Sequence, residues 1–328
     1  MLAAGESRRF WPLSARAHKS LFVLEGRSLL ERTLRSLAGA GVERFVVVQS
    51  PKSATPIRPS DVLPASVDGR PIDYVEQPEP AGQGDALIRC SEFLADRFLL
   101  VQPENINAGT IAGEFATEPD AGQAVTVAVT PREDWQLYAV VEHDGPVLKA
   151  IVEKPETAAE PTPLCNMGLY RLHRDFLDYL RDVPPDPYAM ITAIERAADD
   201  GRARIIRSAA QFLPLKYPGH LWGHLRSLHD GNLPGDERTG RVIAAPNAVI
   251  DEGARLDNAI IGAGATIGAN TRTAEVTQWD DLDAVVVGPG AVIGARVTLG
   301  RGVRIGADSV VRDGARIDED VPNDAIVG

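Results

Sequence analysis

The sequence predicts a two-domain protein in which an N-terminal α/β domain with a mostly parallel mixed sheet is followed by a left-handed parallel β-helix. Three observations carry this. Strand-like and helix-like patterns alternate through the first two thirds of the chain, an apolar period of six sets in from about Val242, and a run of turn formers lies between the two textures.

In the first part, Arg27 to Leu37 has helical periodicity, Arg44 to Gln49 is a buried-strand run, Gly84 to Leu94 is helical and Phe98 to Gln102 is a strand. Leu177 to Val183 reads as a helix end, and Pro185, Asp186 and Pro187 as a turn. Alternating β and α elements imply a largely parallel sheet with helices on both faces. His229 to Gly240 has no apolar period and is rich in Gly, Pro, Asn and Asp, which places the boundary there: residues 1–234 form the first domain and 235–328 the second.

In the second part, Val287, Ile293, Leu299, Ile305, Val311 and Ile317 keep one register without a break. Ile250, Leu256 and Ile267 are read on the same register, with Gly262 where Ile261 is expected, and Thr273 to Asp283 interrupts it. In a left-handed β-helix each six-residue unit is a short strand plus a turn, three units close a coil, and the aliphatic residue points to the axis. About four coils fit. The segment around Gln278, Trp279, Asp280 and Asp281 reads as a loop extruded from one coil.

Composition bounds the partners. A chain of 328 residues suits two domains, and no apolar run approaches the roughly 20 residues of a membrane span. A formal net charge of −12 argues against a broad nucleic-acid or anionic-membrane surface and favours small-molecule partners. Met1 to Gly5 lacks the basic start and apolar stretch of a secretory signal, so the cytoplasm is the expected compartment. Cys90 and Cys165 are expected to be reduced and buried.

The opening Leu2-Ala3-Ala4-Gly5-Glu6-Ser7-Arg8-Arg9-Phe10 is a small-residue strand end followed by a donor-rich turn, after which Pro12 and Lys19 appear. Such a loop lets backbone N–H groups and an arginine surround a polyphosphate. The segment Gln77-Pro78-Glu79-Pro80-Ala81-Gly82-Gln83-Gly84-Asp85-Ala86-Leu87 opens on a primary amide, Gln77, that can donate and accept at once. Ile151-Val152-Glu153-Lys154-Pro155 offers a flexible cation for a phosphate, and Asn166-Met167-Gly168-Leu169-Tyr170 an amide suited to sugar hydroxyls.

In this order the segments resemble the sugar-1-phosphate nucleotidylyltransferase family. Its members start L-A-A-G-x-G-T-R-x-x-P-L, continue to P-K, and carry Q-P-x-P-x-G-x-A-x-A, E-K-P and N-x-G-x-Y segments, with a β-helix tail in many cases. The resemblance implies a Rossmann-like nucleotidyltransferase domain that moves a nucleotidyl group from UTP or dTTP to a sugar-1-phosphate with Mg²⁺ and releases pyrophosphate. It assigns Arg9 to the triphosphate, Lys19 to the α-phosphate, and Leu2, Ala3, Ala4, Gly5, Gln77 and Gly82 to the nucleotide. Glu153, Lys154, Asn166 and Gly168 fall to the sugar phosphate, with Arg9, Lys19 and Lys154 catalytic.

The chain departs from that pattern in places. Ser7-Arg8 replaces Gly-Thr, and His18 and Ser20 replace the prolines around the lysine. The family's Gly-Asp metal pair becomes Pro103-Glu104, which leaves Glu104 as the expected metal ligand, and Pro214 stands where a second aspartate is usual. The first strand offers about four residues before Gly5, fewer than relatives carry. These departures keep a second reading open, a non-catalytic paralogue that binds a nucleotide or nucleotide sugar and regulates or scaffolds a partner.

His220 and His224 have the spacing of helical metal ligands, but no carboxylate lies between them and Gly223 weakens the helix, so they and His229 are assigned a surface or interdomain place. The hexapeptide acyltransferases that this tail resembles use a histidine base, and no histidine follows His229. The tail is therefore expected to be structural, with homo-oligomerisation through it as a further expectation.

Overall fold

The structure, a computed structural model, describes residues 1–52, 56–79, 81–119, 122–233, 241–275 and 280–328. The expected cut between 234 and 235, Pro80, and the loop residues Gln278 and Trp279 lie outside the described residues. The chain forms two compact units that are each discontinuous in sequence. One comprises Met1–Gly5, Leu30–Ala54 and Arg58–Phe212; the other comprises Glu6–Leu29, Thr55–Ile57 and Leu213–Gly328.

In chain order the first unit contains β1 (Leu2–Ala3), α1 (Leu29–Gly39), β2 (Phe45–Gln49), β3 (Arg70–Glu76), α2 (Gly82–Arg89) and β4 (Arg97–Leu100). There follow α3 (Ala108–Thr117), β5 (Val125–Pro131), β6 (Ala139–Asp144), β7 (Val147–Glu153), β8 (Leu164–His173), α4 (Phe176–Arg181), α5 (Ala189–Asp199) and β9 (Ala203–Arg207). The Gly84–Leu94 helix is shorter than expected at its end: α2 stops at Arg89 and a 3-10 turn, Ser91–Phe93, follows.

β1, β2 and β3 pair in parallel, as β–α alternation requires. The second sheet, ordered β4-β8-β5-β9-β7-β6, is parallel only between β5 and β9 and antiparallel elsewhere. The fold is thus mixed α/β, with more antiparallel pairing than alternation suggests. The physical reason is local: Asp144 pairs with Val147 across Gly145-Pro146, and so short a link can only return the chain antiparallel. The core of this unit runs from Val48, Val125 and Val127 to Phe176 and Ile194. Cys90 and Cys165 are free and buried, as expected.

β1 is only two residues long. The terminal amine of Met1 donates to Val46 O at 2.7 Å, and burial lowers its pKa to about 6 against a weaker opposing effect of Cys90. Beside it Val46, Cys90, Phe98 and Leu100 line a cavity of about 470 Å³.

In the second unit, parallel strands stack in three faces to form a β-helix of about four coils. Val287 lies under Ile305, Ile293 under Val311 and Leu299 under Ile317, so all six residues of the unbroken register face the axis and are buried. The earlier register needs correction. Ile261, not Gly262, occupies the stack, between Ala244 and Val287. The step from Leu256 to Ile261 is one residue short, and the corner between them, with Asn258 at φ 54°, absorbs the slip. Asn and Asp tolerate that left-handed backbone better than most residues. Asp280 and Asp281, described parts of the extruded loop, turn back onto the unit: Asn258 Nδ2 donates to Asp280 O at 2.7 Å, and Arg226 pairs with Asp281. Among the described residues no helix is long and apolar enough to cross a membrane.

Candidate functional site

Arg9 and Lys19, which the resemblance assigns to the phosphates, belong to the second unit. After Gly5 the chain turns at Ser7, whose φ of 53° is the left-handed conformation that favours glycine, the residue type the resemblance places there. The serine offsets this with two bonds. Its carbonyl accepts from Ser14 Oγ at 2.9 Å, and its Oγ accepts from Lys19 N at 3.3 Å. Lys19 is further held by Leu215 O, to which Nζ donates at 2.7 Å. Arg9 is exposed, with its guanidinium 6.0 Å from the centre of the Tyr217 ring. That geometry is a cation–π contact.

Tyr217 meets His220 edge-on at 5.7 Å, and His220 Nδ1 accepts from Lys216 N at 2.9 Å. Burial, followed by the charges of His224, Lys216 and Lys19 against the opposing pull of Asp281, lowers the His220 pKa to about 4. A neutral imidazole therefore supports the segment that carries Leu215, Lys216 and Tyr217. The surface assignment of the three histidines is corrected in part: α6 (Leu221–Leu228) forms despite Gly223, and His224 is fully buried with Nδ1 3.0 Å from His220 O. Only His229 is near the surface, in a 2.5 Å pair with Glu25.

This support makes a pH prediction. The unfolded chain takes up a proton at His220 near its ordinary value of 6.5, whereas the folded chain resists until about 4. The unfolded state then binds more protons in that window, so stability falls as pH drops from about 6.5 to about 4, by at most ~3 kcal/mol from this group. The expected result is that His220→Asn, which keeps an acceptor but cannot titrate, loses less of its urea midpoint than the parent between pH 7 and pH 4.5. Equal losses would remove His220 as the source.

The residues that the resemblance assigns to the base and the sugar belong to the first unit. Leu2 and Ala3 form β1 against Val48 and Gln49, while the side chains of Ala3 and Ala4 enter the core. Gly5 is exposed with nothing within 4 Å of where a Cβ would stand, so its backbone can be approached. Gln77 is 5 % exposed and its amide nitrogen is committed: Nε2 donates to Gly82 O at 3.1 Å and to Asp85 Oδ2 at 2.7 Å. Burial alone would raise the Asp85 pKa, but hydrogen bonds from Arg89 and Gln77 outweigh it and hold it low. Gly82 is required for a structural reason, since at φ 93° the place of a Cβ is taken by the carbonyl of Asp186.

On β8 the Asn166 to Tyr170 motif is a bulge in the pairing with β5, and Gly168 sits in it at φ 72° with its would-be Cβ 3.2 Å from Gln102 Cγ. Asn166 Oδ1 accepts from Gly168 N at 2.8 Å and Asn166 Nδ2 donates to Tyr170 Oη at 2.7 Å. Tyr170 is 3 % exposed, and its pKa is pushed up to about 12 by burial above all, with the Asn166 bond lowering it and nearby Glu153 raising it. Val140 pairs with both Val152 and Cys165, which draws the end of β7 to β8. Glu153, Asn166, Gly168 and Tyr170 are thereby gathered. Lys154 follows at φ 46° with Nζ 4.0 Å from Glu153 and N bonded to Tyr138 O at 3.0 Å.

Glu104 follows β4 and is buried at 6 % exposure. Its neighbour Asn105 is 2 % exposed, and Asn105 Oδ1 accepts no hydrogen bond among the described residues. No three His, Cys, Asp or Glu side chains converge as a metal site among the described residues. Such an oxygen-only, sparse donor set fits Mg²⁺, which commonly keeps waters and phosphate oxygens beside one or two protein ligands. Reading the sequence did not single out Asn105 or Tyr217, and it noted His220 only for its spacing to His224; the Tyr170 position carried a signal, as the end of a quoted motif.

A nucleotidyl transferase family model matches residues 1–217, the span that carries every residue described above except His220 and those after it. The chain belongs to the nucleotidyl transferase family. A second family model, bacterial transferase hexapeptide (six repeats), matches residues 283–319 within the β-helix. The bifunctional protein GlmU of Methanococcus maripaludis is 22% identical over 227 residues, 68% of this chain and 51% of that protein, so the chain spans about half the length of that relative. The UTP–glucose-1-phosphate uridylyltransferase AglF of Haloferax volcanii is 26% identical over 226 residues, 66% of this chain and 90% of that one. The fold is shared with a Bacillus anthracis protein described as a glucose-1-phosphate thymidylyltransferase, at TM-score 0.59 and 16% identity over 72% of this chain and 96% of that one. As a nucleotidyl transferase family member, the chain places its motif residues on a left-handed turn, a β-bulge and two strand ends.

Proposed function

We propose that this protein transfers a nucleotidyl group from UTP or dTTP to a sugar-1-phosphate. The family match through residue 217 supports this most, together with the gathering of Glu153, Asn166, Gly168 and Tyr170. A sugar-1-phosphate oxygen attacks the α-phosphorus, the bond to the bridging oxygen breaks, and pyrophosphate leaves. Positioning and charge neutralisation do most of the work in such a transfer. Arg9, ordered by Tyr217, neutralises the triphosphate, and Lys19, fixed by Leu215 and Ser7, the α-phosphate. Lys154 neutralises the sugar phosphate, while Glu153 and Asn166 orient the sugar. Glu104 would hold Mg²⁺, which supplies further charge neutralisation when bound.

Base choice falls to Gln77. Because its Nε2 is engaged with Gly82 and Asp85, Oε1 is the atom left to accept from N3–H of uracil or thymine. Gln77→Ala is expected to weaken UTP and dTTP binding about tenfold more than ATP or GTP binding, the size of one hydrogen bond. Calorimetric titration checks this, and an equal loss for all four bases would assign Gln77 to the loop alone.

A second reading, a nucleotide-binding regulator without turnover, is favoured by Pro214 at the position of the second metal carboxylate. A pyrophosphate-release assay over triphosphates and sugar-1-phosphates, with and without Mg²⁺, separates the two. Release from no pair, in protein that binds nucleotide, selects the regulator. Self-association through the β-helix belongs to the same proposal. Val249, Val292 and Ile326 are exposed on one face and aligned with Thr266 and Val310, a patch suited to a second copy and testable by light scattering.

A further inference from the structure

At the end of the second sheet remote from Glu104, the starts of β4 and β9 and the end of β8 carry basic residues, with β8 beside β4 and β5 between β8 and β9. His173 is registered with Arg97, while Arg171 and Arg204 lie on either side of Thr126 of β5. Side chains two apart on a strand share a face, so Arg171 and His173 project together, as do Arg202 and Arg204. Between them Leu172 and Ala203 point into the core. Arg97, Gly122, His173 and Arg202 line a pocket of about 180 Å³.

Asp175, an acidic group at this place, is already engaged. Asp175 takes Arg202 and, at 2.7 Å, His173 Nδ1; burial would raise its pKa, but those two partners hold it low. Arg202 also donates to Gly122 O at 3.2 Å, which fixes its guanidinium at the pocket wall. Arg171 is used to close α3, donating to Phe115 O and Glu118 O. Its pKa is lowered by burial first and, against the pull of Glu118, by the adjacent Arg97 and Arg204 charges. Arg97, Arg202 and Arg204 thus lie close to one concave spot in a chain with a net charge of −12.

We propose that the pocket formed by Arg97, His173, Arg202 and Gly122 is a second anion site, which binds a small phosphate group. Guanidinium forks and an imidazole suit the oxygens of a tetrahedral dianion. Inorganic phosphate, pyrophosphate and the phosphoryl group of a phosphorylated metabolite share this chemistry. The site stands independently of the transfer reaction, because none of its residues takes part in it.

The test is calorimetric titration of the full-length protein with inorganic phosphate, pyrophosphate and a sugar phosphate at neutral pH and low ionic strength. The parent, Arg97→Ala, His173→Gln and Lys19→Ala are compared. Arg97 and His173 are chosen because Arg97 is exposed and glutamine keeps the bulk of the ring, so folding is retained. Phosphate binding should persist in Lys19→Ala and weaken at least about tenfold in Arg97→Ala and His173→Gln. Among the three probes the tightest identifies the source of the phosphate group. Phosphate affinity unchanged in both Arg97→Ala and His173→Gln, or lost only in Lys19→Ala, would overturn the site.

Discussion

Leu299→Asp should unfold the C-terminal β-helix. Leu299 is completely buried, stacked between Thr273 and Ile317, and the stack above it is closed by Thr273 Oγ1, which is bonded to Asp257 O at 3.2 Å and to Asp257 N at 2.9 Å. Among the described residues, aliphatic side chains such as Val297, Ile305 and Ile317 share its cluster. An uncompensated carboxylate there costs about 4 kcal/mol or more, at the far end of single-substitution effects. Leu299→Ala, which leaves only a cavity, should cost about 3 kcal/mol. The neighbouring Thr298 faces outward between Arg272 and Arg316, so Thr298→Asp should change stability by no more than about 0.5 kcal/mol. Thermal melts followed by circular dichroism rank the three. A Leu299→Asp protein that melts with the parent would place the inward register elsewhere.

The second large effect is on turnover. Glu104→Gln keeps the size of the side chain and removes its charge, so under the transfer reaction proposed above it should lower kcat by about 100-fold or more, a typical cost for one electrostatic contributor at a phosphoryl centre. Nucleotide binding should persist, because Arg9, Lys19 and Gln77 are untouched. The parent should need high Mg²⁺, since one protein carboxylate leaves the phosphates to supply most other ligands. Pyrophosphate release measured across a Mg²⁺ series, with a melt to show that the buried substitution is tolerated, checks both points. Undiminished release from Glu104→Gln would assign metal binding to other groups.

Most of the architecture was legible because it rests on local periodicity. Six aliphatic residues at a spacing of six define a β-helix whatever surrounds them, and α1, β2 and β4 follow from apolar runs of helical or strand length. The step from Leu256 to Ile261 escaped because a corner can shed a residue without changing which faces stack. The antiparallel second sheet escaped because a two-residue link such as Gly145-Pro146 outweighs the general pattern of alternation. At the site, motif order located Gln77, Glu153, Asn166 and Gly168, but not what their atoms already bond. The commitment of Gln77 Nε2 to Asp85 and the role of Gly82 beside Asp186 depend on three-dimensional neighbours. Tyr217 was missed because its partner Arg9 is about two hundred residues away in sequence.

The same long reach has a consequence for how the protein is made. Trp11 Nε1 donates to Asn323 Oδ1 at 3.0 Å, Arg16 pairs with Asp308, and residues 6–29 belong to the compact unit that contains the β-helix. The loop that carries Arg9 and Lys19 is made about 300 residues before these partners. At about 5–20 residues per second, roughly fifteen seconds to a minute separates them. During that interval residues 6–29 lack these two anchors, so their place in the second unit is completed only after the β-helix turns that carry Asp308 and Asn323 have been made.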